Sequence, residues 1–175
     1  LSVSNVTVDG QAVQAAPGAP GTENLALRVP LPAPLAPGQQ VAIALDFALV
    51  VPREAGGNYG LLGYLQDTLV LDAFYPMIPA YDQAGWNAAP PPPNADASYN
   101  DASYYLVRVT APSALVLVAS GVEVERQRVG DEQVVTFAAG PARDFYLAGS
   151  ELFQVRLSET VGQVRVNSYA LPGQE

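Results

Sequence analysis

Alternating apolar residues, interrupted every few positions by proline or glycine, constrain the fold of this chain more than any other feature. The 175 residues include 16 Pro and 15 Gly, and both residue types disfavour long helices. Apolar side chains recur at every second position instead, most clearly over residues 41–49. A period of two places such residues on one face of a β-strand. The sequence therefore predicts a chain that is nearly all β.

Further strands are predicted wherever this alternation returns between turn signals. Asp9-Gly10 and Gly130-Asp131 each separate two alternating runs, which is typical of hairpins. Many short strands joined by tight turns favour an antiparallel β-sandwich, whereas a parallel sheet needs crossover helices. The predicted strands cover residues 3–7, 25–29, 41–49, 69–74, 104–110, 114–120, 122–128, 133–138, 145–148, 153–158 and 164–169.

The length predicts a single β-sandwich domain that spans residues 1–175. Its longest loop, at 87–101, contains the four consecutive prolines at 90–93 and is expected to be exposed; a linker between two domains is the alternative. Leu1 is not a start Met, so we expect a fragment of a longer protein. No membrane span is expected, because the longest apolar run, at 41–51, is far shorter than the ~20 residues of a spanning helix.

Charge and composition exclude several classes of function. The formal net charge is −9 and the eight basic residues are all Arg, so nucleic acid is not an expected partner, because phosphate binding needs a basic stripe. The chain has no His, Cys or Lys, which excludes His-based catalysis, a Cys nucleophile, Schiff-base chemistry and zinc sites of the His or Cys type within it. A carboxylate-only site and binding without catalysis stay open.

Two loops carry residues that could hold a ligand. Asn94, Asp96, Asn100 and Asp101 offer oxygen ligands for calcium, although Asn and Asp also favour ordinary turns. The glycine-rich stretch at 56–63 lacks the Lys of a phosphate-binding loop and is interpreted as a connection between strands.

Acidic and aromatic side chains give two further candidate sites. Asp67, Asp72 and Asp82 are candidates for a catalytic carboxylate pair, although the 17 acidic residues of the chain make chance proximity common. Trp86 and Tyr99 are candidates for a platform that binds carbohydrate or protein; a lone Trp in a sandwich is otherwise a core or rim residue. These aromatics make a stand-alone β-sandwich binding module one hypothesis for the function.

Several segments in a fixed order lead to another hypothesis. They read LAPGQQVAIALDF at 35–47, FYPMIPAYDQAGWN at 74–87, SYYLVRVTAP at 103–112, ASG at 119–121 and ARDFYL at 142–147. In order and spacing, this series resembles the N-terminal β domain of aminopeptidase-N-like zinc metallopeptidases. The resemblance covers most of residues 3–170 and implies a saddle-shaped β domain that packs beside a thermolysin-like catalytic domain.

The resemblance implies that the chemistry lies elsewhere in the polypeptide. The family's zinc-binding HExxH motif and its GxMEN motif have no match here, so no catalytic residue or cofactor is assigned to this chain, which alone is expected to be inactive. Zinc is expected in the missing catalytic domain. That domain would be the direct partner of this chain and a peptide substrate an indirect one. The compartment stays open, and an extracytoplasmic location is slightly favoured because the parent protein could carry a targeting segment before Leu1.

One residue of the family's first domain contacts the substrate, and its counterpart here is ambiguous. The family uses a Gln or Glu from the strand before the segment that aligns with 74–82, and no clear equivalent is present. Gln66 and Asp72 are the candidates for this contact with the substrate cleft. The alternative is that both are ordinary polar residues at the edge of a strand.

Overall fold

A computed structural model describes residues 1–23, 25–54, 62–89 and 99–173, without the side chains of Arg156 and Leu157. Every ladder between strands in these ranges is antiparallel, and no helix occurs in them. The predicted all-β class is therefore confirmed. Accordingly, the described part of the chain holds no helix of the length and apolarity that crossing a membrane requires.

Sixteen short strands form this part of the molecule. They are β1 Ser2–Val8, β2 Gln11–Ala12, β3 Ala16–Pro17, β4 Leu27–Arg28, β5 Ile43–Ala48, β6 Leu62–Leu65, β7 Thr68–Leu71, β8 Tyr81–Asp82, β9 Gly85–Trp86, β10 Ser103–Pro112, β11 Val116–Ala119, β12 Val122–Val129, β13 Glu132–Ala142, β14 Leu147–Ser150, β15 Gln154–Val161 and β16 Val164–Ala170.

The residues group into two compact units. Unit 1 comprises Leu1–Val50 and Phe74–Asp101, and unit 2 comprises Val51–Ala73 and Ala102–Glu175. The single domain that the sequence predicts over residues 1–175 stays a prediction.

Unit 1 contains the sheet β2-β1-β5 and the two-stranded sheets β3-β4 and β8-β9. The predicted turn at Asp9-Gly10 joins β1 to β2, and both residues have positive φ, 48° and 78°. Positive φ at both central residues defines a type I′ turn, whose twist suits a two-residue hairpin. The Asp9 carboxylate also accepts a hydrogen bond from the Ala42 amide at 2.9 Å, which fixes the turn against the segment that leads into β5.

Unit 2 contains two larger antiparallel sheets, β10-β13-β12 and β11-β14-β7-β6, and the hairpin β15-β16. All four residues of β14 are buried, and β13 alternates between buried and partly exposed positions. Phe145 is fully buried, and its ring lies 6.5 Å from that of Phe137 in β13. The buried apolar side chains of unit 2 come from both sheets, as in a β-sandwich: Leu71, Leu117, Val135, Phe137, Phe145, Leu147 and Ala148.

A buried polar side chain is also part of this core. Gln133 is 1% exposed, and its amide group donates hydrogen bonds to the carbonyl oxygens of Pro112 at 3.0 Å and Leu115 at 2.6 Å. Its side-chain oxygen accepts a hydrogen bond from the Arg126 guanidinium. Because all these polar groups are paired, the amide is accommodated without the cost of an unsatisfied buried group.

Several predicted strand boundaries are wrong by two or three residues. The strand predicted at 69–74 ends at Leu71, because Ala73 has a φ of +48° that no extended strand adopts. The strand predicted at 145–148 begins at Leu147, and the apolar Phe145 before it fills the core rather than a ladder. Only two residues of the run at 25–29 pair with another strand, as β4.

Candidate functional site

Asp72 lies at the end of the four-stranded sheet of unit 2, just after β7. Its neighbour Leu71 pairs with Leu147 of β14, so Asp72 and Tyr146 occupy the next position on the two strands. Asp144 precedes Tyr146 by two residues and is close enough for its charge to act on Asp72. All three side chains are half-buried. This end of the sheet therefore brings together two carboxyl groups and a phenol, named here the Asp72 cluster.

The pKa of the Asp72 carboxyl is raised above its usual value. Partial burial is the larger cause, since it disfavours the charged form, and the negative charge of Asp144 adds to it. A hydrogen bond from the backbone of Ala73 acts in the opposite direction by stabilising the carboxylate. The pKa of Tyr146 is also raised, first by burial and then by the charge of Asp72. Negative charge is therefore disfavoured on both Asp72 and Tyr146, because burial reduces its solvation and a neighbouring acidic group repels it.

A hydroxyl group from a third strand lies at the same end of the sheet. The Tyr146 amide donates to the Ser120 hydroxyl oxygen at 3.0 Å, and the Ser120 amide donates to the Tyr146 carbonyl at 2.9 Å. Ser120 follows β11, which pairs with β14 from the other side. Asp72, Tyr146 and Ser120 therefore lie next to the ends of β7, β14 and β11, at the same end of the sheet.

The Asp72 cluster is suited to binding a positively charged or hydrogen-bond-donating group. A cation or an N–H donor near the two carboxyl groups would relieve their mutual repulsion. Two carboxylates fall short of the usual ligand set of a protein metal site, and no group of three or more acidic residues that could hold a metal occurs in the described ranges.

Gln66 lies away from this cluster, in the turn between β6 and β7. Its φ is +49°, its side chain is exposed, and its carbonyl accepts a hydrogen bond from the Thr68 hydroxyl at 3.4 Å. Asp67 and the four residues of β7 separate Gln66 from Asp72, and β7 alone is roughly 13 Å long at ~3.3 Å per residue. The two candidates for the substrate contact are therefore at opposite ends of one strand.

The other candidate carboxylates are occupied by local contacts. Asp67 lies in the same turn as Gln66 and accepts a hydrogen bond from the Tyr64 hydroxyl at 3.4 Å. Asp82 accepts one from the Ala84 amide at 2.8 Å, within the β8–β9 hairpin of unit 1. The carboxyl group that acts on Asp72 is that of Asp144, which belongs to the ARDFYL segment but was not a candidate site residue.

Trp86 lies on the surface of unit 1, so a core position is excluded. It is 63% exposed and forms an edge-to-face pair with Tyr81, which is 66% exposed, at 4.9 Å between ring centroids. Tyr81 and Trp86 are directly opposite each other on β8 and β9, and the Asn87 amide closes the hairpin on the Ala80 carbonyl at 2.9 Å. The contact between Tyr81 and Trp86 was not expected from the sequence.

Parts of the two candidate loops lie outside the described residues. Asn94 and Asp96 of the calcium hypothesis are among them, as are residues 56–61 of the glycine-rich stretch. At the end of the long loop, Tyr99 is 57% exposed, and the side-chain amide of Asn100 donates a hydrogen bond to the Met77 sulfur at 3.3 Å. The calcium site stays a prediction.

Comparison with known structures finds a similar fold in part of several zinc metallopeptidases. A two-domain M1 zinc metallopeptidase, a point mutant with bound L-arginine, matches with a TM-score of 0.55 at 18% sequence identity, over 99% of this chain and 39% of its own. The resemblance inferred from the sequence is confirmed for the fold. An M1 zinc metallopeptidase from Deinococcus radiodurans gives a TM-score of 0.53, and a mutant from that organism bound to a Tyr-Ser-Ala substrate gives 0.52, both at 18% identity and with the same coverage.

The match has a defined extent. The chain spans 39% of the length of these solved structures, so most of each metallopeptidase has no counterpart in residues 1–175. No protein-family model matches the sequence, and no curated protein sequence matches it significantly.

Proposed function

We propose that this chain is the non-catalytic N-terminal domain of a zinc-dependent aminopeptidase, which packs against a catalytic domain of the same polypeptide and shapes its peptide cleft. The observation that supports this proposal is the likeness of fold to two-domain M1 zinc metallopeptidases over 99% of the chain. The ordered series of sequence segments, from 35–47 to 142–147, points to the same family independently of the structure.

Zinc would be bound outside this chain. The chain has no His and no Cys, and the carboxyl pair of Asp72 and Asp144 supplies two protein ligands where zinc sites use three or four. The residues present therefore do not fit a zinc ion. In this proposal the zinc and the general base belong to the catalytic domain, and this chain contributes binding and positioning.

Asp72 is the better candidate for the contact with a peptide substrate. Its carboxyl group is half-buried at a sheet end beside Asp144, where a substrate N–H or ammonium group would be attracted. Gln66 is in an exposed turn and could contact a substrate only if the catalytic domain approached the other end of β7. The two candidates thus lie at opposite ends of the sheet.

The experiment uses the whole polypeptide that contains residues 1–175. Bound zinc is measured by metal analysis, and hydrolysis is followed with aminoacyl substrates, first for the unchanged protein and then for Asp72→Asn and Gln66→Ala. The proposal predicts stoichiometric zinc and aminopeptidase activity, with KM raised about tenfold by Asp72→Asn, since a charged hydrogen bond contributes ~1.5 kcal/mol or more. A zinc-free, inactive polypeptide would contradict it.

A stand-alone binding module is the second candidate, and the Tyr81–Trp86 pair favours it. Two large aromatic side chains that are each about two-thirds exposed offer ring faces on which a sugar or an apolar peptide side chain can stack. To test this candidate, binding to a glycan array and to peptides is measured for the unchanged chain and for the variants Trp86→Ala and Tyr99→Ala. Loss of a measurable interaction in the variants would support it.

A further inference from the structure

The β15–β16 hairpin of unit 2 has two faces of different character. The register pairs Glu159 with Val166 and Val161 with Val164, so these four side chains lie on one face. The opposite face carries Ser158, Thr160, Arg165 and Asn167, and the Ser158 hydroxyl donates to the Asn167 side-chain oxygen at 2.8 Å. Three valines therefore form an apolar strip on the first face, named here the valine face.

The valine face is open to solvent. Val161, Val164 and Val166 are 66%, 64% and 45% exposed. Each strand of the hairpin pairs only with the other within the described residues. The base of the hairpin is packed, since the rings of Phe153 and Tyr169 lie 6.3 Å apart, whereas the valines near its tip are not.

An isolated hairpin of this kind is poorly suited to water. Two-stranded sheets are at best marginally stable unless a face packs against something else. Exposed β-branched residues aligned on one face, with polar residues on the other, are the pattern of a sheet with one buried face. The pattern therefore indicates that another surface covers the valine face.

We propose that the valine face is a docking surface for the part of the polypeptide that would form the catalytic domain. This inference rests on the proposed function. One matched structure is a two-domain protein, and this chain covers 39% of its length, so the larger part of such a protein is available as the occupant. The complementary surface is apolar and carries a hydrogen-bond donor or a basic group for Glu159, which shares the valine face.

Cysteine labelling tests the proposal, because the 175 residues contain no Cys. Val164→Cys, with Thr160→Cys on the polar face as the matched control, is prepared in the 175-residue chain and in the whole polypeptide. Modification of each site by a maleimide is timed by mass spectrometry of the peptide that contains it. We expect Val164→Cys to react at least tenfold more slowly in the whole polypeptide than in the short chain, and Thr160→Cys to change by less than twofold.

Two outcomes would overturn the proposal. Val164→Cys could react at the same rate in both proteins, or its protection in the short chain could rise with concentration, which would identify a second copy as the occupant. Unchanged labelling in a polypeptide that binds zinc and hydrolyses aminoacyl substrates would remove the docking surface and leave the proposed function intact. Protection of Val164→Cys in a zinc-free, inactive polypeptide would support the docking surface and contradict the proposed function.

Discussion

The centre of unit 2 and its last hairpin are both made of alternating, valine-rich strands, yet they differ in burial. Around β13 and β14, Val135, Phe137 and Leu147 are almost fully buried. In β15 and β16, valines at equivalent alternating positions are about half to two-thirds exposed. The difference shows that alternation fixes which side chains share a face, whereas burial depends on a second layer that covers this face.

Replacing an aromatic ring in the core of unit 2 should lower the free energy of unfolding more than any of the other substitutions. It tests whether the central strands are buried as described. Phe145 is 0% exposed, and its ring is tilted against those of Tyr105 and Phe137, at 6.0 and 6.5 Å between centroids. We expect Phe145→Ala to lower the free energy of unfolding by about 3–5 kcal/mol, measured by chemical denaturation of the 175-residue chain. Val164→Ala in the hairpin is the control and should cost less than about 0.5 kcal/mol; equal losses would mean that the hairpin valines are packed.

Two turn glycines sharpen the same comparison at the level of the backbone. Gly121, between β11 and β12, has a φ of +80°, and a Cβ there would lie 2.1 Å from the Ala138 carbonyl oxygen. Gly162, at the tip of the hairpin, has a φ of +64° and nothing within 4 Å of a Cβ.

Gly121→Ala should therefore destabilise the chain by about 2–4 kcal/mol, through backbone strain and the clash together, and Gly162→Ala by about 1 kcal/mol, through strain alone. Thermal unfolding of the two variants measures both. A smaller loss at Gly121 than at Gly162 would contradict the close approach of Gly121 to β13.

The β8–β9 hairpin of unit 1 provides a third test, because its aromatic pair is exposed like the hairpin valines. Trp86→Ala should lower the free energy of unfolding by only about 1 kcal/mol, the contribution of its edge-to-face contact with Tyr81. Tyr81→Ala is the matched variant and should cost a similar amount. A loss of about 3–5 kcal/mol for Trp86→Ala would instead place this side chain in a core.

The smallest effect is expected at Asp72, which lies at the rim between buried and exposed regions. Because its pKa is raised in the folded state, the contribution of this carboxyl to stability is fully present at pH values below its unfolded pKa and is lost as the pH rises through the folded pKa. The Asp72→Asn side chain cannot ionise, so this loss of stability at higher pH does not occur. Its amide oxygen can still accept the hydrogen bond from the Ala73 backbone.

The Asp72→Asn variant should thus be slightly more stable than the unchanged chain at neutral pH and equal to it at about pH 3, where Asp is protonated. Denaturation midpoints at the two pH values give the comparison. A stabilisation that persists unchanged at low pH would show that desolvation and the charge of Asp144 are not its cause.

Much of the fold follows from local sequence. The Asp9-Gly10 and Gly130-Asp131 turns lie where they were predicted, because the positive φ of Asp9, Gly10 and Gly130 is a local preference of Asp and Gly. The long strands β10, β12 and β13 were predicted to within four residues at each end. The boundary at Leu71 was missed because a left-handed Ala73 has no signal in composition.

The candidate site was only partly predictable. Asp72 was singled out both as a candidate carboxylate and from the resemblance, but Asp144 and Tyr146 join it through the pairing of β7 with β14, whose residues are more than 70 positions apart in sequence. Likewise, Trp86 was noted as an aromatic residue, whereas its exposure and its contact with Tyr81 depend on the hairpin that carries them.

The sequence by itself determined the all-β class, the tight turns, the absence of His, Cys and Lys chemistry, and the family that the chain resembles. Only the tertiary structure decided which carboxyl groups share a sheet end and which valine-rich strands are covered. The physical reason is range: φ preferences and side-chain period act between near neighbours, whereas burial and pKa shifts arise from residues that the fold brings together across the chain.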